Sequence, residues 1–415
     1  MSSPAEPTSA PDHRDLGNSL DLFHFQDDAP GMVFWHPRGL TLYSCLRDAA
    51  RSHCRAEGYF EVMTPQVLRE PIWERSGHWT HYRDDMFAFD DGKEPVALKP
   101  VSCPGHLEIA RRRSLSHRDL PLRFAEFGLV HRREPSGALH GLFRLRQFTQ
   151  DDGHIFCLPE QLDGEVERFA QGLTVFYRAF GFELMDVRLS TRPPSRVGDD
   201  ELWVRAESLL GRAASRAGLS WSEQPGGGAF YGPKLEFNLQ DGWGRLWQCG
   251  TIQLDLVLPE RFGVHYASGD GRREVPMMLH RALYGSLERF MGMLLEQCAG
   301  KLPPWLAPEQ VRVLPVAEAH VASAAAVLRE LGAADIRAGL DTSSETLALR
   351  VFRAHSDGVP FALILGNREI ASEAVTIRER GGENRTMPRA EAVAFCRRIC
   401  ANGQAGAGGA GVAHG

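Results

Sequence analysis

The sequence predicts an α+β fold with a smaller α/β domain behind it, and three features predict this. Before Lys301, strand and helix patterns interleave without the strand–helix alternation of a doubly wound parallel sheet. Two stretches with partial period-2 alternation, 121–132 (PLRFAEFGLVHR) and 143–156 (FRLRQFTQDDGHIF), are joined by a turn-rich loop, Glu134-Pro-Ser-Gly-Ala-Leu-His-Gly141. A proline-rich segment, 301–308 (KLPPWLAP), then breaks the pattern, and short strands alternate with helices beyond it.

Taken in order, apolar residues recur at helical spacing over 40–57 (Leu40, Leu42, Cys45, Leu46, Ala49) and over 162–180 (Leu162, Val166, Phe169, Leu173, Phe176). The stretch 247–258 (WQCGTIQLDLVL) reads as a further strand. Residues 280–298 place Leu283, Leu287, Phe290, Met291, Leu294 and Leu295 on one face, which predicts an amphipathic helix starting at His280. Past the break, the patterns predict strand 311–316, helix 318–331, strand 334–338, helix 345–355, strands 360–365 and 374–379, and helix 388–400. The domain plan is a disordered tail over 1–18, a first domain over 19–300, a linker over 301–308, an α/β domain over 309–402 and a flexible Gly/Ala tail over 403–415.

Composition narrows the function. With 43% hydrophobic and 24% charged residues, the chain can bury a core. Lys+Arg at 47 against Asp+Glu at 53 gives a formal net charge of −6, which excludes a polybasic binder but allows a local basic face. No apolar run reaches the ~18 residues of a membrane span, and the polar, Pro/Ser-rich start lacks an apolar signal core, so a cytoplasmic location is expected. Eight scattered cysteines read as core thiols or metal ligands rather than a disulfide framework. There is no internal repeat, GxGxxG fingerprint or Walker loop. The only lysines are Lys93, Lys99, Lys234 and Lys301, so Arg is the default cation here and a Lys inside a motif hints at a reason for Lys.

Three arginines suit a phosphate: Arg132 at the end of one predicted strand, Arg144 early in the next, and Arg289 on the helix after His280. Guanidinium is planar, permanently charged and bidentate. Two short Cys/His spacings, Cys103-Pro-Gly-His106 and His154-Ile-Phe-Cys157, suit either zinc ligands or buried structural pairs.

The segment LRFAEFGLVHRREPSGALHGLFRLRQFTQDDGHIF resembles motif 2 of the class II aminoacyl-tRNA synthetases. LHRALYGSLERF resembles motif 3, and GYFEVMTPQVL, with Pro65, resembles motif 1. The run APGMVFWHPRG, SGHW, LKPVSCPGH, FYGPKLEF and WQCGTIQLDLVLP, in that order, resembles the threonyl-tRNA synthetase family over about residues 19–400. The resemblance implies a class II antiparallel-sheet catalytic domain followed by an anticodon-binding-like domain. It implies ATP with Mg²⁺: Arg132 on the α-phosphate, Arg289 and Arg144 toward the γ-phosphate, Glu134 accepting from the adenine amino group, and Phe148 stacking under the purine. It implies one Zn²⁺ per subunit on Cys103, His154 and His280, leaving His106 and Cys157 out of the ligand set. Gln150 and Asp152 would orient the threonine ammonium and Tyr231 would close the pocket. Lys234 and Gln253 fall at amino-acid positions, and Gln248, Thr251 and Ser286 at nucleotide positions. His78, in SGHW, matches the residue that helps deprotonate the terminal ribose hydroxyl during transfer. The segment around Pro65 implies a homodimer.

Several positions depart from the family pattern. The chain starts where the family's catalytic core starts, so an enzyme without cis editing of Ser-tRNA is expected. Val101-Ser102 replaces the usual Met-Asn before the CPGH cysteine. Glu369 and Arg378 are retained at anticodon-contact positions, whereas Ser344 and Phe352 replace two others. Residues 301–400 carry 13 basic and 12 acidic residues, a poor balance for RNA. The resulting reading is a threonine–tRNA ligase acting on ATP, L-threonine and the acceptor end of tRNA(Thr), with no DNA or membrane partner. The alternative is a threonine-adenylating paralogue that loads a carrier protein or another non-tRNA acceptor.

Overall fold

The computed structural model describes residues 11–407. Their contacts divide the chain into two units. One contains the segments up to His24, Phe34–Ala49 and Met293–Gly406; the other contains Phe25–Val33 and Ala50–Gly292.

The second unit is built on an eight-stranded sheet. In chain order its strands are β1 (Phe60–Glu61), β2 (Leu122–His131), β3 (Gln147–Cys157), β4 (Leu184–Ser190), β5 (Ser222–Gln224), β6 (Lys234–Gln240), β7 (Leu246–Asp255) and β8 (Met277–Ala282). Across the sheet they run β5-β4-β6-β7-β8-β3-β2-β1, antiparallel except at the two edges. The helices Leu162–Arg178 and Asp200–Arg216 bury apolar stripes that include Val166, Phe169, Leu173, Trp203 and Leu210. The backbone of Gly250 lies so close to the first helix that a Cβ would sit 2.6 Å from Leu173 and 2.7 Å from the Tyr177 hydroxyl. That face of the sheet is therefore its packed face.

The expected strands at 121–132 and 247–258 lie over β2 and β7. Two expectations are corrected. The strand expected from Phe143 begins at Gln147, because a turn at His140–Phe143 and the hydrogen bond from Arg146 N–H to Gly31 C=O (2.8 Å) take up residues 143–146; Arg144 thus sits in the loop. The helix expected from His280 begins at Leu287: His280 is in β8, and a turn intervenes. Gly285 makes that turn with φ +75°, and a Cβ there would lie 2.8 Å from Cys249 O. The Ser286 hydroxyl accepts from Arg289 N–H (3.2 Å) and starts the helix. Leu283 imitates the helical spacing but belongs to the turn.

In the other unit, Ala338–Leu340, Val311–Pro315 and Phe361–Leu365 run parallel, and Ala374–Glu379 and Asn384–Pro388 extend the sheet antiparallel. Val313, Phe361, Leu363 and Ile377 pack with Val327, Leu331 and Cys396 in its core. Each such side chain contributes ~1.5–3 kcal/mol of apolar burial, so Leu363→Ala would cost ~2–5 kcal/mol. The strand expected at 334–338 is displaced to 338–340 because the helix before it closes through Asp335 in the left-handed region (φ 62°).

The tail and linker are also corrected. Residues 11–18 are not a disordered tail. Asp12 caps the helix His13–Ser19, accepting from Arg14 N–H (2.7 Å), and His13 is buried 2.7 Å from the Glu296 carboxylate. Residues 1–10 lie outside the described residues. The segment 301–308 is no open linker: Leu302, Trp305 and Leu306 are buried, and the Arg337 guanidinium donates to Trp305 and Ala307 carbonyls at 2.8 and 2.9 Å. The last helix, Arg389–Ala407, runs into the stretch expected to be a flexible tail, of which 408–415 lie outside the described residues.

Candidate active site

The register of the large sheet builds the site. Lys234 pairs with Gln253, Gln253 with His280, and His280 with His154, so one row of side chains crosses β6, β7, β8 and β3. The next row on the same face is Glu236, Thr251, Ala282, Asp152 and, on β2, Glu126. In β3, Gln150, Asp152 and His154 alternate onto this face. An extra residue in β7, Cys249, shifts the register and returns Gln248 to the face of Thr251 and Gln253.

Cys103 opens the helix Cys103–Arg111 and faces the same point. Ligand atoms of Cys103, His154 and His280 all lie within 4.8 Å of one another, and all three residues are buried. Tetrahedral zinc with Zn–N bonds of 2.0–2.1 Å holds two nitrogens about 3.3 Å apart; His154 Nε2 and His280 Nδ1 are 3.1 Å apart. Asp255, a carboxylate whose Oδ1 also accepts from the N–H groups of Val257 and Leu258, accepts from His280 Nε2 (2.9 Å). His280 Nδ1 therefore carries its lone pair into the cluster. Burial, with Asp152 and Asp255 nearby, pushes the Cys103 thiol well up, a bias that a divalent cation would reverse. The donor set fits a cation with an open position. Cys157 is buried in β3 and His106 stands behind His154; neither joins the cluster.

Around it, Tyr231 stacks on His280 with centroids 4.7 Å apart and donates to Gln253 Oε1 (2.8 Å). Asp152 accepts from Ser102 N–H (3.3 Å), and burial raises its carboxyl. Lys234 is spent on Glu236 at 2.7 Å. Gln150 Oε1 and Ser102 Oγ are buried without a protein hydrogen-bond partner.

Beside this cluster, a cavity of about 180 Å³ is lined by Arg132, Glu134, Arg144, Phe148, Ser286 and Arg289, so these six predicted nucleotide residues converge; Gln248 and Thr251 do not line it. The Arg132 guanidinium lies 5.0 Å from the Phe148 ring centroid. Arg144 pairs with Glu134 at 2.8 Å, and Arg289 Nε donates to Phe143 O (3.1 Å). His78 is buried, with Nδ1 2.8 Å from Ser76 Oγ, whose own hydrogen goes to Trp73 O. His78 Nδ1 thus carries the proton and Nε2 the lone pair. Burial, then the charges of His280 and Arg132, lower its pKa to about 3.

Residues 82–298 match the family described as the tRNA synthetase class II core domain (G, H, P, S and T), and residues 310–399 match the anticodon binding domain family. A solved structure described as the RNA binding domain of threonyl-tRNA synthetase from Cryptosporidium parvum Iowa II is 39% identical, with TM-score 0.91, over 94% of this chain and 98% of that one. The chain belongs to the threonyl-tRNA synthetase family of class II synthetases. The threonine–tRNA ligases of Burkholderia mallei (strain SAVP1) and Thiobacillus denitrificans (strain ATCC 25259 / T1) are 47% and 50% identical over 89% and 90% of the chain. These matches take up 58% and 59% of those proteins, so this synthetase-family chain spans about three fifths of the length of the curated relatives it matches.

Two predicted anticodon residues are partly committed to their own fold. Glu369 accepts from Gly366 N–H (3.0 Å) and from the Thr376 hydroxyl (2.9 Å), and Arg378 reaches Asn384 at 3.4 Å. Phe352 is 66% exposed, and Arg353 is paired with Glu345.

Sequence reasoning missed Asp255, Glu126, Lys99 and Glu288. The one signal available for any of them was the scarcity of lysine, which marked Lys99. Glu288 carries the start of the Leu287–Gln297 helix: its carboxyl takes the Thr149 N–H at 2.9 and 3.0 Å and meets Ser286 Oγ at 3.1 Å, tying that helix to β3.

Among the described residues, no helix is long and apolar enough to cross a membrane.

Proposed function

We propose that this chain is a threonine–tRNA ligase: it activates L-threonine with ATP to threonyl-AMP and transfers the threonyl group to the 3′ end of tRNA(Thr). The observation that carries the reading is the Cys103–His154–His280 cluster on the same unit as the arginine-lined cavity. An amino acid held at the first and a nucleotide held at the second would be neighbours.

In the first step the threonine carboxylate oxygen bonds to the α-phosphorus of ATP and the bond to pyrophosphate breaks. Arg132 holds the α-phosphate, and Arg289 and Arg144 face the leaving pyrophosphate with the Mg²⁺ that accompanies ATP. Glu134 accepts from the adenine amino group and Phe148 lies under the ring. Charge neutralisation and positioning do most of the work, because no covalent enzyme intermediate is needed. Cys103, His154 and His280 would hold zinc, one per subunit; when bound, it supplies an electrophilic centre that the α-amine and β-hydroxyl of threonine can reach together. Gln150 and Asp152 receive the ammonium, and Tyr231 covers the side chain. In the second step His78 Nε2 takes the proton of the terminal ribose hydroxyl as that oxygen attacks the carbonyl carbon and AMP leaves. A homodimer through the segment around Pro65 belongs to the same reading.

Pyrophosphate exchange with each of the twenty amino acids, followed by charging of tRNA(Thr), tests it. Exchange driven by threonine together with tRNA charging is the expected result. Exchange driven better by another amino acid than by threonine, or driven by none, would sink the proposal.

A further inference from the structure

Behind His154 runs a chain of buried polar groups that the reaction does not use. Lys99 is fully buried; its Nζ donates to Glu126 Oε1 (2.7 Å) and to Thr64 Oγ1 (2.9 Å). Glu126 also accepts from Thr64 N–H (3.0 Å) and the Thr64 hydroxyl (2.8 Å), and its Oε2 lies 3.0 Å from His106 Nε2. His106 Nδ1 then lies 2.7 Å from His154 Nδ1. Thr64 is 5% exposed, Glu126 3%, and His106 and His154 not at all.

We propose that Lys99, Glu126 and His106 are positioning residues that fix the tautomer of His154, holding its proton on Nδ1 and aiming its Nε2 lone pair into the cluster with Cys103 and His280. The proposal rests on the zinc site of the functional reading.

The hydrogen atoms can be placed by elimination. Glu126 faces four donors, the full acceptor capacity of an ionised carboxylate. Burial works against its charge, but the bonds from His106 and Lys99 and from Thr64 N–H outweigh burial and hold its pKa at about 2. A carboxylate cannot donate, so His106 Nε2 carries a hydrogen. The other ring nitrogen of His106 then decides the state of His154. With His154 Nε2 turned toward His280 Nδ1 in the cluster, the 2.7 Å contact runs from His154 Nδ1–H to His106 Nδ1, and Glu126 holds the hydrogen of His106 on the far nitrogen.

Lys99 holds Glu126 in place for this: its ammonium takes Oε1 and leaves Oε2 to the Thr64 hydroxyl and to His106 Nε2–H. This gives a reason for Lys at a buried position in a chain with only four lysines: a compact ammonium satisfies Glu126 and Thr64 together, where the planar guanidinium fork would need more room. Backbone packing keeps the chain in line. A Cβ on Gly105 would come within 2.6 Å of the Thr64 side chain, and one on Gly128 within 2.4 Å of Ser102 Oγ and 3.6 Å of Lys99 Nζ. Outer partners of metal-binding histidines are typically worth 10–100-fold in metal affinity.

Zinc affinity of the full chain, measured by competition with a chromophoric zinc chelator, tests the relay. His106→Leu and Lys99→Met should each raise the zinc dissociation constant 10–100-fold, although Lys99 touches no ligand. Binding within twofold of wild type in both variants would overturn the relay and leave the functional reading standing; a wild-type chain that binds no zinc would overturn both. Because either variant could fold poorly, ¹⁵N-histidine NMR of the zinc-loaded wild type gives an independent readout. Protonated Nδ1 on His154 with unprotonated Nδ1 on His106 supports the proposal; a proton on His106 Nδ1 overturns it.

Discussion

His280 Nδ1 and His154 Nε2 face each other at 3.1 Å from directly opposed positions of β8 and β3. Asp255 holds the proton of His280 on the far nitrogen. With Cys103 beside them, these groups form a donor set that could share one cation. Cys103→Ser keeps the volume but removes the thiolate, and His280→Ala removes a nitrogen. Each should abolish threonine-dependent pyrophosphate exchange and reduce bound zinc from one per chain to a small fraction, read by elemental analysis. Chelation of the wild type should silence exchange, and added zinc should restore it.

Arg132 supports a second expectation. It lines the cavity proposed to hold the nucleotide, with its guanidinium over Phe148. Lysine would keep the charge but lose the planar fork and the stacking. Arg132→Lys should therefore lower kcat for exchange by ~10²–10³, as loss of one preorganised donor to developing charge does. An unchanged kcat would remove Arg132 from the reaction.

The proposed role of His78 would separate the two half-reactions. A pKa of about 3 keeps the imidazole neutral, with the lone pair on Nε2, from pH 5 to pH 8. His78→Ala should slow transfer to tRNA by ~10²-fold or more and leave pyrophosphate exchange within a factor of two or so. The wild-type transfer rate should show no acidic limb near pH 6.5. Equal losses in both half-reactions would assign His78 to packing.

The reach and failure of the sequence reading have physical causes. The strands β2 and β7 and the helix Leu162–Arg178 were legible because one face of each is apolar at the right period. β8 was not: all six of its residues are buried, so no alternation marks it, and Leu283 in the turn completes a false helical stripe. The ligand trio came from family motifs, because its members are separated by about 50 and more than 120 positions and only the register of β3 on β8 brings them together. Glu126 and Lys99 were invisible for the same reason. The 301–308 segment misled because its prolines speak of a linker while its Trp305 and Leu306 are core.

Glu288 predicts a pH dependence of stability. Burial raises its carboxyl from 4.5 to about 7 despite the N–H of Thr149 and the Ser286 hydroxyl. Between pH 4.5 and 7 the folded chain keeps a proton that the unfolded chain has released, so this residue costs stability as pH rises, on the order of 3 kcal/mol in total. Below pH 4.5 both states are protonated and the cost is absent. Glu288→Gln mimics the protonated side chain. Urea unfolding should find the variant more stable than wild type at pH 8 and equal to it near pH 4; a gap independent of pH would refute the assignment.

The last expectation concerns which amino acids enter the site. Valine matches threonine in shape but has a methyl group where threonine has a hydroxyl. If Cys103, His154 and His280 leave a position for the substrate hydroxyl, valine would put a methyl group there and leave that position unmet at the same moment that it displaces water. Sites built to engage a substrate hydroxyl reject the analogue that lacks it by ~10⁴–10⁵ in kcat/KM. Serine poses the opposite problem. It keeps the hydroxyl and gives up one methyl, which an apolar contact can value at only ~1–3 kcal/mol, or about 10–200-fold. Pyrophosphate exchange should therefore rank threonine first, serine one to two orders of magnitude behind, and valine at background. If the order of serine and valine were reversed, shape rather than the hydroxyl would govern selection, and the Cys103–His154–His280 cluster would lose its role in specificity.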